Sequence, residues 1–168
     1  VVKMILEAGQ MLCAAHWLHL FKNYYKGEIT DFKRVKDLKA WLTDDSNTHP
    51  IERPLWGLTH MRHPCTIWTN ESYENYMWHW ELGVALCYEY TKRYKKIHKA
   101  QSLFDWLGKN KPRFMKSKGL TSFAICMKDE YKVGTDPVAS YRQYYIKDKV
   151  RFAKWEPHSI TPKWYKEM

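Results

Sequence analysis

What this chain of 168 residues lacks narrows its chemistry first. Its four cysteines, Cys13, Cys65, Cys87 and Cys126, stand 52, 22 and 39 residues apart, with no C-x-x-C pair and no secretory leader pattern. That spacing speaks against a disulfide framework or a zinc ribbon and suits a reducing, cytosolic compartment. No apolar stretch reaches the roughly 18 to 20 uncharged residues of a membrane span, so no membrane partner is expected. The seven glycines are scattered, with no G-x-x-x-x-G-K phosphate loop, and no G-x-S-x-G elbow is present. Alternating apolar and polar residues never run long enough to predict a sheet.

What is there is basic and aromatic together. Hydrophobic residues make up 45% and charged residues 27%, near the soluble average, so disorder is not the main state. Lys and Arg number 28 against 18 acids, a net charge of +10. With 9 Trp, 12 Tyr and 6 Phe, that charge points to a polyanion with flat bases. The competing reading is a basic protein whose aromatics simply fill a large core.

The periodicity is helical. Val1, Ile5, Ala8, Leu12 and Ala15 form one apolar row and Val2, Leu6, Gly9, Cys13 and His16 the next, predicting a helix to about Phe21. Thr30 or Asp31 caps a second helix through Phe32, Val35, Leu38, Ala40 and Leu42, and a loop follows from Asp44 to Pro64. The longest element is predicted from about Thr69 to Lys96, with Glu71 and Glu74 early and Lys92, Arg93, Lys95 and Lys96 late, matching the helix dipole. A short helix covers Gln101 to Leu107. Asp136-Pro137 opens another through Tyr141, Tyr144 and Tyr145 to about Val150. The tail from Trp155 carries no period. The expectation is an all-α single domain over residues 1–168, a helical bundle with a long central helix and an irregular aromatic tail. Val1-Val2-Lys3 already lies in a helical pattern, so the natural N-terminal segment is expected to be missing.

Residues 92 to 118 hold ten cations, Lys92, Arg93, Lys95, Lys96, Lys99, Lys109, Lys111, Arg113, Lys116 and Lys118, against Asp105 alone. A run of like charge is commonly a solvated face. Tyr94, Trp106 and Phe114 interleave this one, which suits a phosphate-tracking groove. Arg142 and Lys147, among tyrosines, line a groove or coat a helix. His60-x-x-His63-x-Cys65 matches no zinc signature, and no metal or cofactor is expected; His63 reads as ending a loop with its ring bonded to backbone. His16 and His19 read as packing residues, and Cys13 and Cys87 as buried thiols.

Glu7 stands out, on a narrow polar stripe with Lys3 and Gln10 in an otherwise apolar helix. A carboxylate so placed moves protons or stabilises a cation; the plainer account is an i,i+4 pair with Lys3. Three stretches carry a resemblance: Val1-Val2-Lys3-Met4-Ile5-Leu6-Glu7, His63-Pro64-Cys65-Thr66-Ile67-Trp68 before a long helix, and Thr161-Pro162-Lys163-Trp164-Tyr165. Together, over roughly residues 1 to 20, 63 to 95 and 155 to 166, they resemble the all-α pyrimidine-dimer DNA glycosylases of bacteriophage type. The resemblance implies a glycosylase and AP lyase acting on damaged pyrimidines in double-stranded DNA. An N-terminal α-amine would form the Schiff base, Glu7 would assist it, and Trp164 and Tyr165 would contact DNA. Lys3 alone matches the family's basic residues on that helix. The departure is at the start: six residues precede Glu7 here, placing Val1 about 9 Å from it along a helix, so the nucleophile segment is expected to be absent. The alternatives are a non-catalytic nucleic-acid-binding viral protein and a viral interaction protein, in an intracellular setting that includes an infected host cell.

Overall fold

The apolar rows at the start of the sequence fold as a helix, and most of their residues leave solvent. A computed structural model of the chain describes residues 2–24, 35–44, 55–112, 115–157 and 159–167. Its first helix, α1 (Val2–Tyr24), buries Ile5, Ala8, Leu12 and Ala15 from one row and Gly9, Cys13 and His16 from the other. Met11, Ala14 and Trp17 are buried as well. Between residues 8 and 17, α1 is therefore covered nearly all round, as a helix inside a core is. Val2, Lys3, Met4 and Leu6, at its start, face water.

Six further helices follow among the described residues: α2 (Val35–Thr43), α3 (Pro64–Glu71), α4 (Tyr73–Tyr94), α5 (Gln101–Lys109), α6 (Pro137–Lys147) and the single turn α7 (Lys163–Lys166). With 60% helix, 1% strand and no sheet among the described residues, the fold is all-α. Among the described residues no helix is long and apolar enough to cross a membrane. The cap expected at Thr30 or Asp31 and the loop residues Asp45 to Pro54 lie outside the described residues. The chain divides into two units, Val1–Thr121 and Ser122–Met168.

In the first unit, the long helix expected from Thr69 to Lys96 is two helices. Ser72 is extended (φ −148°, ψ 158°), ends α3 and caps α4, its Oγ accepting from the Asn75 N–H at 3.1 Å. A serine hydroxyl competes with the helical ladder in this way. The same hydroxyl donates to the Gly119 carbonyl (3.0 Å), a partner that periodicity along the helix does not reveal. At the far end Lys95 turns left-handed (φ 54°) and returns its N–H to the Thr91 carbonyl. His63 does bond to backbone, its Nδ1 accepting from the Cys65 N–H (3.2 Å), and with Pro64 at the first position it starts α3.

Helices α1, α4 and α5 share a core of Ile5, Leu12, Cys13, Tyr76, Cys87, Leu103, Phe104 and Leu107. A Cβ on Gly83 would stand 2.0 Å from Phe104 Cε1, so only glycine lets α4 and α5 approach this closely. The segment Leu55 to Leu58 straps α1: Trp17 Nε1 donates to the Trp56 carbonyl (2.7 Å), and the Trp56 N–H to Cys13 Sγ (3.4 Å). Ala14, Trp17, Phe21, Leu38 and Leu58 form a second cluster that seats α2. Burial pushes the free Cys13 thiol up to about 12 and Cys87 to about 11, so both are structural, as expected.

Two buried histidines brace the helices. His16 Nε2 meets the Tyr76 hydroxyl at 2.9 Å. Thr69 spends its one hydroxyl proton on the Cys65 carbonyl (2.6 Å), so the network assigns His79 Nδ1–H as donor to Thr69 Oγ1, also 2.6 Å. Burial, with the His63 charge adding to it, lowers the His79 pKa to about 4.

In the second unit Asp136 caps α6, its Oδ1 accepting from the Val138 (2.8 Å) and Ala139 (3.0 Å) N–H groups, with Pro137 at the first position. Both features follow the sequence prediction. The helix ends at Lys147, short of the expected Val150, where the Asp148 N–H closes on the Tyr144 carbonyl. The tail is more ordered than its lack of period suggested. Trp155 and Trp164 contact Tyr145, and Tyr165 contacts both tryptophans.

Candidate nucleic-acid interface

The basic stretch is laid out by α4 and the chain that returns along it. Trp80 Nε1 donates to the Phe104 carbonyl (2.8 Å), Lys111 Nζ lies 5.8 Å from the Trp80 ring centroid, and the Tyr73 N–H donates to the Lys116 carbonyl (3.2 Å). The return path is thus antiparallel to α4. Lys92, Lys95, Lys96 and Lys99 fall at the C-terminal end of that helix, Lys109 and Lys111 near its middle, and Lys116 and Lys118 at its start. The 22 residues of α4 spread them over about 33 Å.

The neighbouring acids are engaged within the chain, Glu89 by a cation and the others by neutral donors that leave their charge in place. Glu89 Oε1 accepts from Arg93 Nε at 2.6 Å, Asp105 from Gln101 Nε2 at 3.0 Å, and Glu71 from the Thr121 hydroxyl at 3.2 Å. Among the described residues, Lys92, Lys95, Lys96, Lys99, Lys109, Lys116 and Lys118 are exposed and have no ion-pair partner. Arg93 is the exception among the expected cations, with a side chain 15% exposed and committed to Glu89. Arg113 lies outside the described residues.

The aromatic interleaving needs correction. Trp106 does not line a groove; it packs on the core beside His16, ring centroids 5.7 Å apart, because the amphipathic α5 turns it inward. Tyr94 is half exposed and rests on Tyr90, and Phe114 lies outside the described residues. The sequence reading missed Tyr88, which is 72% exposed one turn before Lys92. Its exposure was legible as the solvent side of α4, which it shares with Glu81, Ala85 and Lys92.

At the start of α4, Glu74 gathers a loop. Its carboxylate accepts from the Ser117 hydroxyl and from the Lys118 and Gly119 N–H groups, each of the latter at 3.1 Å. The Ser117 bond foremost, with backbone N–H groups behind it, holds this carboxyl below the usual carboxylate range.

Glu7 and Lys3 form the i,i+4 pair that their spacing predicts. Lys3 Nζ is 3.4 Å from Glu7 Oε1, with the side chains 86% and 27% exposed. So open a pair is worth about 0.3 kcal/mol.

In the second unit Arg142 lies 5.6 Å from the Trp164 ring centroid, within the cluster of Tyr145, Trp155, Trp164 and Tyr165. These rings pack on one another as a tail on α6. Lys147 coats the exposed side of the same helix.

No family model, no curated protein and no solved structure matches this chain.

Proposed function

We propose that this protein binds the phosphate backbone of double-stranded DNA through the exposed lysines strung along α4 and its return segment. The observation that carries the reading is the excess of cations there: among the described residues seven lysines lack a carboxylate partner, Glu89 is neutralised by Arg93, and Glu74 and Asp105 are held by neutral donors. Their spread of about 33 Å is close to one turn of B-DNA, so a duplex lying along α4 meets phosphates over its whole length. Tyr88 adds an exposed ring on the helix's solvent side.

The test is duplex affinity against salt. If Lys92, Lys96 and Lys99 each neutralise a phosphate, changing all three to Ala flattens the log–log slope by about 2.7. An unchanged slope removes these residues from the interface. Glu7→Gln leaves binding intact.

Excision of a damaged pyrimidine is a second reading, supported by the resemblance and by a Glu7 carboxylate that stays open to solvent beside Lys3. In that chemistry an amine bonds to sugar C1′ as the base departs, the C1′–O4′ bond then opens with the ring oxygen taking up a proton, and the resulting iminium is reduced by borohydride to a stable adduct. An adduct on an abasic duplex, weakened by Glu7→Gln, supports the reading. Binding without an adduct removes it.

A further inference from the structure

The contact between Glu74 and residues 117 to 119 is built as an anion site. Three donors from three consecutive residues converge on one carboxylate: the Ser117 hydroxyl on Oε1, and the Lys118 and Gly119 N–H groups on Oε2. Gly119 takes a left-handed φ of 78°, the turn that points successive N–H groups to one side and makes a backbone nest. A phosphate presents the same acceptor geometry with more charge.

Two features separate this nest from a simple latch. Glu74 is not alone in holding the loop in place. The Tyr73 N–H bonds the Lys116 carbonyl, the Ser72 hydroxyl bonds the Gly119 carbonyl, and Asn75 Oδ1 accepts from the Thr121 N–H while its Nδ2 donates to the Thr121 hydroxyl. Ser72 and Asn75 are fully buried, so these three pins are rigid. The loop keeps its shape with the Glu74 side chain swung away. The charge around the nest is also unbalanced. Lys116 and Lys118 are exposed beside it, and neither pairs with a carboxylate among the described residues, although that of Glu74 is bonded to the Lys118 backbone. The internal anion uses neutral donors and leaves both ammonium groups free for a second one.

We infer that residues 117–119 form a phosphate subsite which the Glu74 carboxylate occupies in the free chain, and which a DNA backbone phosphate takes over on binding. The inference rests on the DNA-binding reading and adds a self-competing contact to it. Every encounter that uses this subsite must displace Glu74, so the start of α4 becomes a gate on affinity.

The experiment compares the full chain with Glu74→Ala, Glu74→Asp and Glu81→Ala. Glu81 is exposed on the same helix and stands apart from the nest, so its loss removes one charge without opening the subsite. Aspartate keeps the charge and an acid in the first turn of α4, and is one methylene too short to fill the nest. Glu74→Ala is expected to tighten a short duplex about tenfold, the worth of one charge-assisted hydrogen bond to a phosphate. Glu74→Asp should tighten it in the same direction at unchanged net charge, and Glu81→Ala much less. Equal effects of Glu74→Ala and Glu81→Ala, or no effect of Glu74→Asp, would overturn the subsite. The backbone amide resonances of Lys118 and Gly119 in Glu74→Asp supply a second readout. Shifts on adding duplex, with none on adding inorganic phosphate, assign the site to a nucleic-acid phosphate. If the duplex fails to bind any variant, the DNA-binding reading falls; phosphate alone moving both amides then keeps the nest as a small-anion site. Still amides with both ligands reject it.

Discussion

In residues 1–121 six large side chains leave solvent completely: Tyr76, Phe104, Ile5, Leu12, Leu38 and Leu107 are all less than 2% exposed. In residues 122–168 no apolar side chain among the described residues reaches that state, and Ser140 is the buried one. The second unit is no less aromatic. Its tyrosines and tryptophans meet mostly edge to face and stay partly exposed, interspersed with Arg142 and Lys149, which sits 4.6 Å from the Tyr144 ring centroid. The contrast shows that aromatic content does not by itself make a core. A helix must be covered on several sides, as α1 is by α3, α4 and the Leu55–Leu58 strap, before a ring leaves water completely. The second unit instead relies on caps, ring edges and ion pairs, each worth about 1 kcal/mol or less.

Phe104→Ala breaks the comparison hardest. It should cost about 4 kcal/mol, since a buried ring is removed and the space against Gly83 stays empty, whereas Trp164→Ala should cost about 1 kcal/mol. Urea midpoints for the two variants would show the gap, and equal losses would erase the distinction between the units.

Among the described residues, acid acts through a buried histidine in the first unit alone. His79 has a folded pKa near 4, below the ordinary 6.5, so between those values the unfolded chain binds the extra proton. Stability is complete above pH 6.5 and declines as pH falls toward 4, by about 3 kcal/mol in all. Denaturation at stepped pH should show this decline, and His79→Gln should flatten it.

A smaller effect belongs to the second unit. Asp136→Ala frees two N–H groups at the start of α6 and should cost about 1 kcal/mol. Faster amide exchange confined to residues 137–147, with α4 unchanged, would sharpen the division into units. Smallest of all, Glu7→Gln should change stability by about 0.3 kcal/mol, because its partner Lys3 is almost fully in water. A larger loss in thermal unfolding would mean that Glu7 holds more than its helix neighbour.

Much of the fold was legible where the signal is local. The rows of α1, the Asp136-Pro137 start of α6, the inert thiols of Cys13 and Cys87 and the Lys3–Glu7 pair all lie within a turn or two of the residues that announce them. The Glu89–Arg93 pair was equally local and went unread, so one expected cation proved to be engaged. Ser72 shows the limit. Its position in a continuous helical pattern hides a cap, and the choice between ladder and cap is settled by Gly119, 47 residues away.

The candidate interface divides along the same line. Sequence alone determined that residues 92–118 are strongly basic and that the chain is helical, because charge is a sum over residues and helical period is a property of neighbours. Tertiary structure decided the rest: that Trp106 turns into the core, and that Lys116 to Gly119 come back to Glu74. Those outcomes depend on hydrogen bonds and packing between segments some 40 residues apart, beyond the reach of any local pattern.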